Sequence, residues 1–192
     1  MYIISGKYGG RKLISPPKSN DLRPTSGKNI KNIINILYSG NLLQNLDIDI
    51  SQIRLLDLFA GTGIFSFENL SQNILSTTLI DINQNNIDII NKNARLLNES
   101  KTQTIKFNLK NGLPNLNQKY NLVFADPPYN QNLMEKIFLE LEDSDYLEKN
   151  HLIIVESSAQ EDLKFNPDKF HIIKEKKYGD SKFAFLRNLS RS

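Results

Sequence analysis

From residue 53 onward the chain repeats one unit: a short apolar run, a turn, then a longer segment whose apolar residues recur every three or four positions. Strands that alternate with helices pair in parallel and need cover on both faces. The repeat therefore predicts a doubly wound sheet with ligands at the carboxyl ends of its strands. Residues 53–59, 76–80, 104–107, 121–125 and 151–156 read as strands, and 63–70, 83–98 and 133–141 as helices. In the second helix Ile87, Ile90, Ala94 and Leu97 share a face. Residues 171–177 and 182–189 suit a closing pair joined through Gly179-Asp180.

Ahead of the repeat, residues 1–5 and 12–15 flank a glycine-rich turn and predict a β-hairpin ended by Pro16-Pro17. Residues 22–26 form a loop whose Thr25 or Ser26 suits a helix cap. Ile30, Ile33, Ile34 and Leu37 then recur at helical spacing, and Gly40 and Asn41 mark that helix's end. The expected architecture is α/β: a mostly parallel, doubly wound, seven-stranded sheet with a hairpin-and-helix extension. The extension covers residues 1–45 and the main domain 46–192.

Several chemistries are disfavoured. The chain has no cysteine and two histidines, His151 and His171, so neither a Cys-ligated zinc nor a histidine-based triad or metal site is expected. No apolar run approaches the roughly 18 residues of a membrane span, and no signal peptide opens the chain, so a cytoplasmic protein is expected. Charge is uneven. The first 31 residues hold seven of the 24 basic and one of the 21 acidic residues, a basic arm suited to a polyanionic partner.

Residues 122–129, Leu-Val-Phe-Ala-Asp-Pro-Pro-Tyr, carry the first chemical signal. A buried strand runs into an acid, two prolines and an aromatic. The prolines lack N–H groups and bias their predecessors to extended geometry, so Asp126 and Pro127 are held stiffly with outward carbonyls. A carboxylate and free carbonyls beside an aromatic ring suit a flat heterocycle bearing an exocyclic amine, with Tyr129 stacked on it.

Residues 57–63, Asp-Leu-Phe-Ala-Gly-Thr-Gly, carry the second. The loop follows a strand and precedes a helix. Gly61 and Gly63 let backbone approach a ligand, and the helix amides behind them favour negative charge. It is not the dinucleotide fingerprint: the third glycine would fall at Ser66, and Asp57 would repel a pyrophosphate. An acid before the loop suits an ammonium, directly or through water, and Asp81 ends the next strand where a carboxylate accepts ribose hydroxyls. Amino acid plus ribose without phosphate points to S-adenosylmethionine.

Together these motifs resemble class I S-adenosylmethionine-dependent methyltransferases of the amino-methylating type. Gly-Gly-Arg-Lys-Leu at 9–13, Leu-Arg-Pro-Thr at 22–25, the apolar helix ending Asn-Ile-Leu at 35–37 and Lys-Lys-Tyr-Gly-Asp at 176–180 narrow the resemblance to the bacterial 16S ribosomal RNA guanine-N2 methyltransferase family (RsmD-like). The resemblance implies a Rossmann-like fold and methylation of a guanine in small-subunit RNA, free or assembling, by a monomeric enzyme without metal. Asp57, Phe59, Ala60, Gly61, Gly63, Asp81, Ile82, Asn108 and Asp126 would then surround the cofactor. Asp126, Pro127 and Tyr129 would hold the acceptor, and Lys7, Arg11, Lys12, Arg23, Thr25 and Tyr178 would meet RNA. Tyr178 suits the base pocket and plain packing equally. The chain departs from the family at Gly27, at Ile30-Lys31 and at Asn83.

Three other readings compete. A DNA adenine-N6 or cytosine-N4 methyltransferase uses a similar loop but needs room for a DNA-reading domain. A protein glutamine methyltransferase usually has Asn at position 126. A non-catalytic RNA-binding assembly protein with a relict pocket would not need Gly61, Gly63, Asp81 and Asp126 together.

Overall fold

A computed structural model describes residues 1–16, 27–128, 133–143 and 145–189. In chain order its main elements are α1 (Gly27–Tyr38), α2 (Leu42–Asn45), β1 (Arg54–Leu58), α3 (Ile64–Ser71), β2 (Ser76–Asp81), α4 (Gln84–Leu96), β3 (Thr102–Lys106), β4 (Tyr120–Ala125), α5 (Leu133–Asp143), β5 (Leu147–Ser158), β6 (Phe170–Tyr178) and β7 (Ser181–Asn188). The seven strands form one sheet in the order β3-β2-β1-β4-β5-β7-β6. β1 to β5 pair in parallel, and β7 lies antiparallel between β5 and β6. The predicted doubly wound sheet is the one observed.

Side-chain alternation splits the core into two layers. Leu55, Leu79, Leu122, Phe124 and Ile154 face α1, α3 and α4, whose Ile33, Leu37, Phe67, Leu70 and Ile90 close that side. Leu56, Leu58, Ile80, Val123, Ala125 and Val155 face α5 through Met134, Ile137, Phe138 and Leu141. Burying one such side chain contributes about 1.5–3 kcal/mol, which explains why the central strands carry apolar residues on both faces.

The amino-terminal segment is less regular than a hairpin. A single bridge joins Tyr2 and Lys12 across a 3₁₀ turn at Gly6–Tyr8. Its two limbs are tied by backbone bonds from Ile3 N–H to Arg11 O at 3.0 Å, Gly10 N–H to Ile3 O at 2.8 Å and Leu13 N–H to Met1 O at 2.9 Å, and side chains of α3 and α4 take further backbone groups of the segment. Ile4 N–H donates to Glu68 Oε1 at 2.7 Å, and Tyr8 N–H to Ser71 Oγ at 2.9 Å. Asn93 serves both groups of Ile14, accepting its N–H at 2.8 Å and donating to its carbonyl at 3.1 Å. Ile3, Leu13, Ile30, Ile33, Ile34 and Leu37 lie in the same core as β1, so the described part of the extension shares the main domain's interior.

Two differences from the expected elements have simple causes. β5 begins at Leu147, four residues early, because Leu147 is the one apolar residue in Leu147-Glu-Lys-Asn and the three polar residues after it are only partly buried or exposed, so the stretch shows no apolar run. The four-residue α2 is too short to show a period. His151 is fully buried, and its Nε2 accepts Asn188 N–H at 2.8 Å, which makes it part of the scaffold. Among the described residues no helix is long and apolar enough to cross a membrane, and no three His, Asp or Glu gather to hold a metal.

Candidate active site

The cofactor-loop candidate leaves β1 through a tightly constrained backbone. Phe59, Gly61 and Gly63 all have positive φ, at 61°, 56° and 76°. For Phe59 that conformation costs about 1–3 kcal/mol, and such outliers concentrate at functional sites. Ala60 N–H donates to Ile80 O at 2.9 Å, and Gly63 N–H to Ala60 O at 2.8 Å, tying the loop to β2 and to itself. Gly63 precedes α3 directly. A Cβ there would meet Leu79 at 3.0 Å, Ile90 at 3.1 Å and Phe67 at 3.2 Å, so conformation and space both demand glycine.

Asp81 closes the loop from the neighbouring strand. Its Oδ2 accepts Gly61 N–H at 2.8 Å and its Oδ1 accepts Asn83 N–H at 2.7 Å. Each oxygen keeps a second acceptor direction, so this carboxylate both fixes the glycine and can receive hydroxyls. Beside it Ile82 is 58% exposed, an apolar surface left uncovered where β2 ends. Asn108 follows β3 and caps a 3₁₀ turn by accepting Lys110 N–H at 3.0 Å.

Asp57, expected to meet an ammonium directly or through water, is engaged within the fold. It is buried, and its Oδ2 accepts the Ser66 hydroxyl at 2.6 Å; Ser66 Oγ is 2.9 Å from Thr77 Oγ1. Ser66, which breaks the dinucleotide fingerprint, is thus the residue that anchors α3 to β1. Burial pushes the Asp57 pKa up to about 7 against the lowering hydrogen bond from Ser66, and the charges of Asp126 and Asp81 add to the rise. Three acids therefore feel one another near the ends of adjacent strands, with Asp57 buried beneath and Asp81 and Asp126 at the rim, where they favour a cation. The sequence marks Ser66 only as the break in that fingerprint and does not reveal its bond to Asp57, for which a hydroxyl nine residues after a strand acid was the available signal.

The acceptor-loop candidate lies directly alongside. Leu58 pairs with Ala125, and Asp126 N–H reaches Leu58 O at 3.4 Å. Gly61 and Asp126 thus leave neighbouring strands on the same rim. Phe124 stacks on Phe65 at 3.8 Å and stiffens the strand beneath. Asp126 and Pro127 are half-buried and Pro128 is exposed. Tyr129, Arg23 and Thr25 lie outside the described residues.

The basic candidates are dispersed. Lys7 Nζ pairs with Glu99 at 2.9 Å, and Tyr8 donates its hydroxyl to the same oxygen. Arg11 and Lys12 are exposed. The turn carrying Lys7 docks where α3 ends and β3 is about to begin, at the edge of the sheet opposite the two loops. Tyr178 packs edge-on against Phe183 with ring centres 6.1 Å apart, and is half-buried on the rim side of the sheet.

A family model described as conserved hypothetical protein 95 matches residues 1–187. The chain is 32% identical to the uncharacterized methylase RP545 of Rickettsia prowazekii (strain Madrid E), over 96% of each protein. It is 31% identical to ribosomal RNA small subunit methyltransferase D of Escherichia coli (strain K12), over 92% of this chain and 84% of that one. The solved structure of the Escherichia coli yhhF protein superposes with a TM-score of 0.81 at 28% identity, covering 98% of this chain and 97% of the other. The sheet order and its reversed β7 are those of the class I methyltransferase fold. With a family model matched almost throughout and relatives above 30% identity covered over most of their length, this chain belongs to the conserved hypothetical protein 95 family, alongside the small-subunit ribosomal RNA methyltransferase D proteins.

Proposed function

We propose that this protein methylates the exocyclic N2 amine of a guanine in small-subunit (16S) ribosomal RNA, in the cytoplasm, with S-adenosylmethionine as donor. The observation that carries the reading is the adjacency of the Gly61 loop and Asp126 across the β1–β4 pair. The residues present fit the donor. A rim with two acids and a third buried beneath suits a ligand bearing ammonium and sulfonium charges, Asp81 suits ribose hydroxyls, and the bare face of Ile82 with Asn108 nearby suits an adenine. The Phe59 to Gly63 backbone lets such a ligand approach closely, and Asp57 would act on its charge at a distance, behind Ser66.

When bound, the donor supplies a sulfonium-activated methyl group with its own leaving group. The chain's task is the acceptor, since a guanine amine shares its lone pair with the ring and is a poor nucleophile. The Asp126 carboxylate and Pro127 carbonyl would each accept one N–H, leaving the nitrogen lone pair aimed at the methyl. That alignment, with a carboxylate where positive charge develops, supplies the acceleration. Tyr129 would stack on the base, which must first leave its own stack. Arg11, Lys12 and Arg23 would add phosphate contacts.

The test is transfer of labelled methyl to small-subunit RNA, naked and in particles, followed by nucleoside digestion. N2-methylguanosine is the expected product. Label confined to amino groups of duplex DNA would overturn the substrate, and no binding of S-adenosylmethionine would overturn the chemistry.

A further inference from the structure

We propose that a row of three side chains, Ser157, Lys182 and Lys177, forms a phosphate-binding track for the RNA strand adjoining the acceptor nucleotide. The inference rests on the ribosomal RNA reading above and adds a site to it. Ser157 on β5 pairs with Lys182 on β7, and Lys182 pairs with Lys177 on β6. Directly paired residues present their side chains on one face of a sheet. The row therefore crosses three strands, from the middle of the sheet to its outer edge.

Its inner end touches the acceptor loop. Val155 is level with Ala125, which puts Ser157 level with Pro127, and Ser157, Pro127 and Pro128 line a common cleft with Lys164 and the acids Glu135, Glu161 and Asp162.

Three features of this row are unfavourable for the folded chain alone. Ser157 is buried and its hydroxyl has no hydrogen-bond partner among the described residues. A buried polar group left unpaired costs about 1–3 kcal/mol, and alanine would avoid that. Lys182 is 8% exposed, yet its ammonium is 3.8 Å from Asp162, a carboxylate standing fully in solvent. A fully exposed partner offsets little of the burial of a charge. Lys177 sits directly across from Lys182, and like charges so placed repel.

One phosphodiester relieves all three. Its oxygens accept the Ser157 hydroxyl and draw the two ammonium groups together, with Lys164 at the cleft wall as a further cation. Asp162 then acts as a placeholder anion that the incoming phosphate displaces from Lys182.

The experiment measures binding of a small-subunit ribosomal RNA transcript across a salt series, with S-adenosylmethionine affinity and thermal midpoint for each variant. Lys177→Ala and Lys182→Met should each weaken RNA binding several-fold and flatten the salt dependence by about 0.7–0.9 in log–log slope. Cofactor affinity should be unchanged in both. Asp162→Asn should tighten RNA binding, because it removes the competing anion. Lys177 and Asp162 are exposed, so those two variants decide the matter should Lys182→Met fail to fold. Unchanged slopes in Lys177→Ala and Asp162→Asn, with wild-type protein binding the transcript, would overturn the track and leave the proposed function standing. Wild-type protein that neither binds nor methylates the RNA would remove both.

Discussion

The carboxyl rim of β1, β2 and β4 and the amino-terminal arm are both polar, yet their polar groups work in opposite ways. On the rim, backbone amides fix Asp81 while leaving each oxygen with acceptor capacity, and left-handed residues hold an open loop. On the arm, Lys7 and Tyr8 are drawn onto Glu99, and Ile4 and Ile14 onto Glu68 and Asn93. The lesson concerns charge counts. Seven basic residues in the first 31 suggested an RNA-binding arm, but a cation already paired at 2.9 Å has less to offer a partner. Its turn also docks at the far edge of the sheet, so it can meet only RNA remote from the acceptor.

The contrast can be broken or sharpened by experiment. Asp126→Ala should have the largest effect, lowering methyl transfer by about 10²–10³-fold while S-adenosylmethionine affinity, measured by calorimetry, changes little. Equal loss of both would place Asp126 on the donor side. Gly63→Ala comes next. Strain at φ +76° and the crowding of Leu79 and Ile90 should remove about 1–3 kcal/mol of stability in denaturant titration and weaken donor binding with it.

On the arm, burial pushes the Glu68 pKa from 4.5 up to about 7, against lowering hydrogen bonds from the Ile4 and Ser5 backbone. The folded value lies above the unfolded one, so the site's contribution is fully present below pH 4.5 and is lost as pH rises through about 7. Glu68→Gln keeps an acceptor for Ile4 without the charge. Its thermal midpoint relative to wild type should therefore improve between pH 5 and pH 8, and a constant difference would refute the assignment. Asp57, shifted the same way, leaves a residual slope in both proteins. Smallest of all, Lys7→Met should remove under about 1 kcal/mol of stability and leave the salt dependence of RNA binding unaltered. A flatter slope would return the arm's turn to the RNA interface.

The fold was legible because central strands are buried on both faces, and continuous apolar runs such as 122–125 reveal that directly. The two loops were legible because glycine and proline restrict backbone in ways the residue letters announce. What stayed hidden depends on partners distant in the chain. Glu68, Asn93 and Glu99 look like ordinary polar helix positions, and only the fold brings residues 4, 14 and 7 to them. Asp57 and Ser66 are nine residues apart, but their bond needs the strand–helix turn to close first. Lys177 and Lys182 lay in plain view, equally spaced about Gly179-Asp180, and a stricter hairpin register would have paired them.

The reversal of β7 has a practical corollary. Because β7 starts beside Ser158 and finishes beside Phe170, the chain has travelled the full height of the sheet away from both ligand loops by Asn188. A fluorophore or immobilising tether attached just beyond that strand would hang from the underside of the molecule. An object as bulky as a ribosomal particle could then approach the candidate site unobstructed.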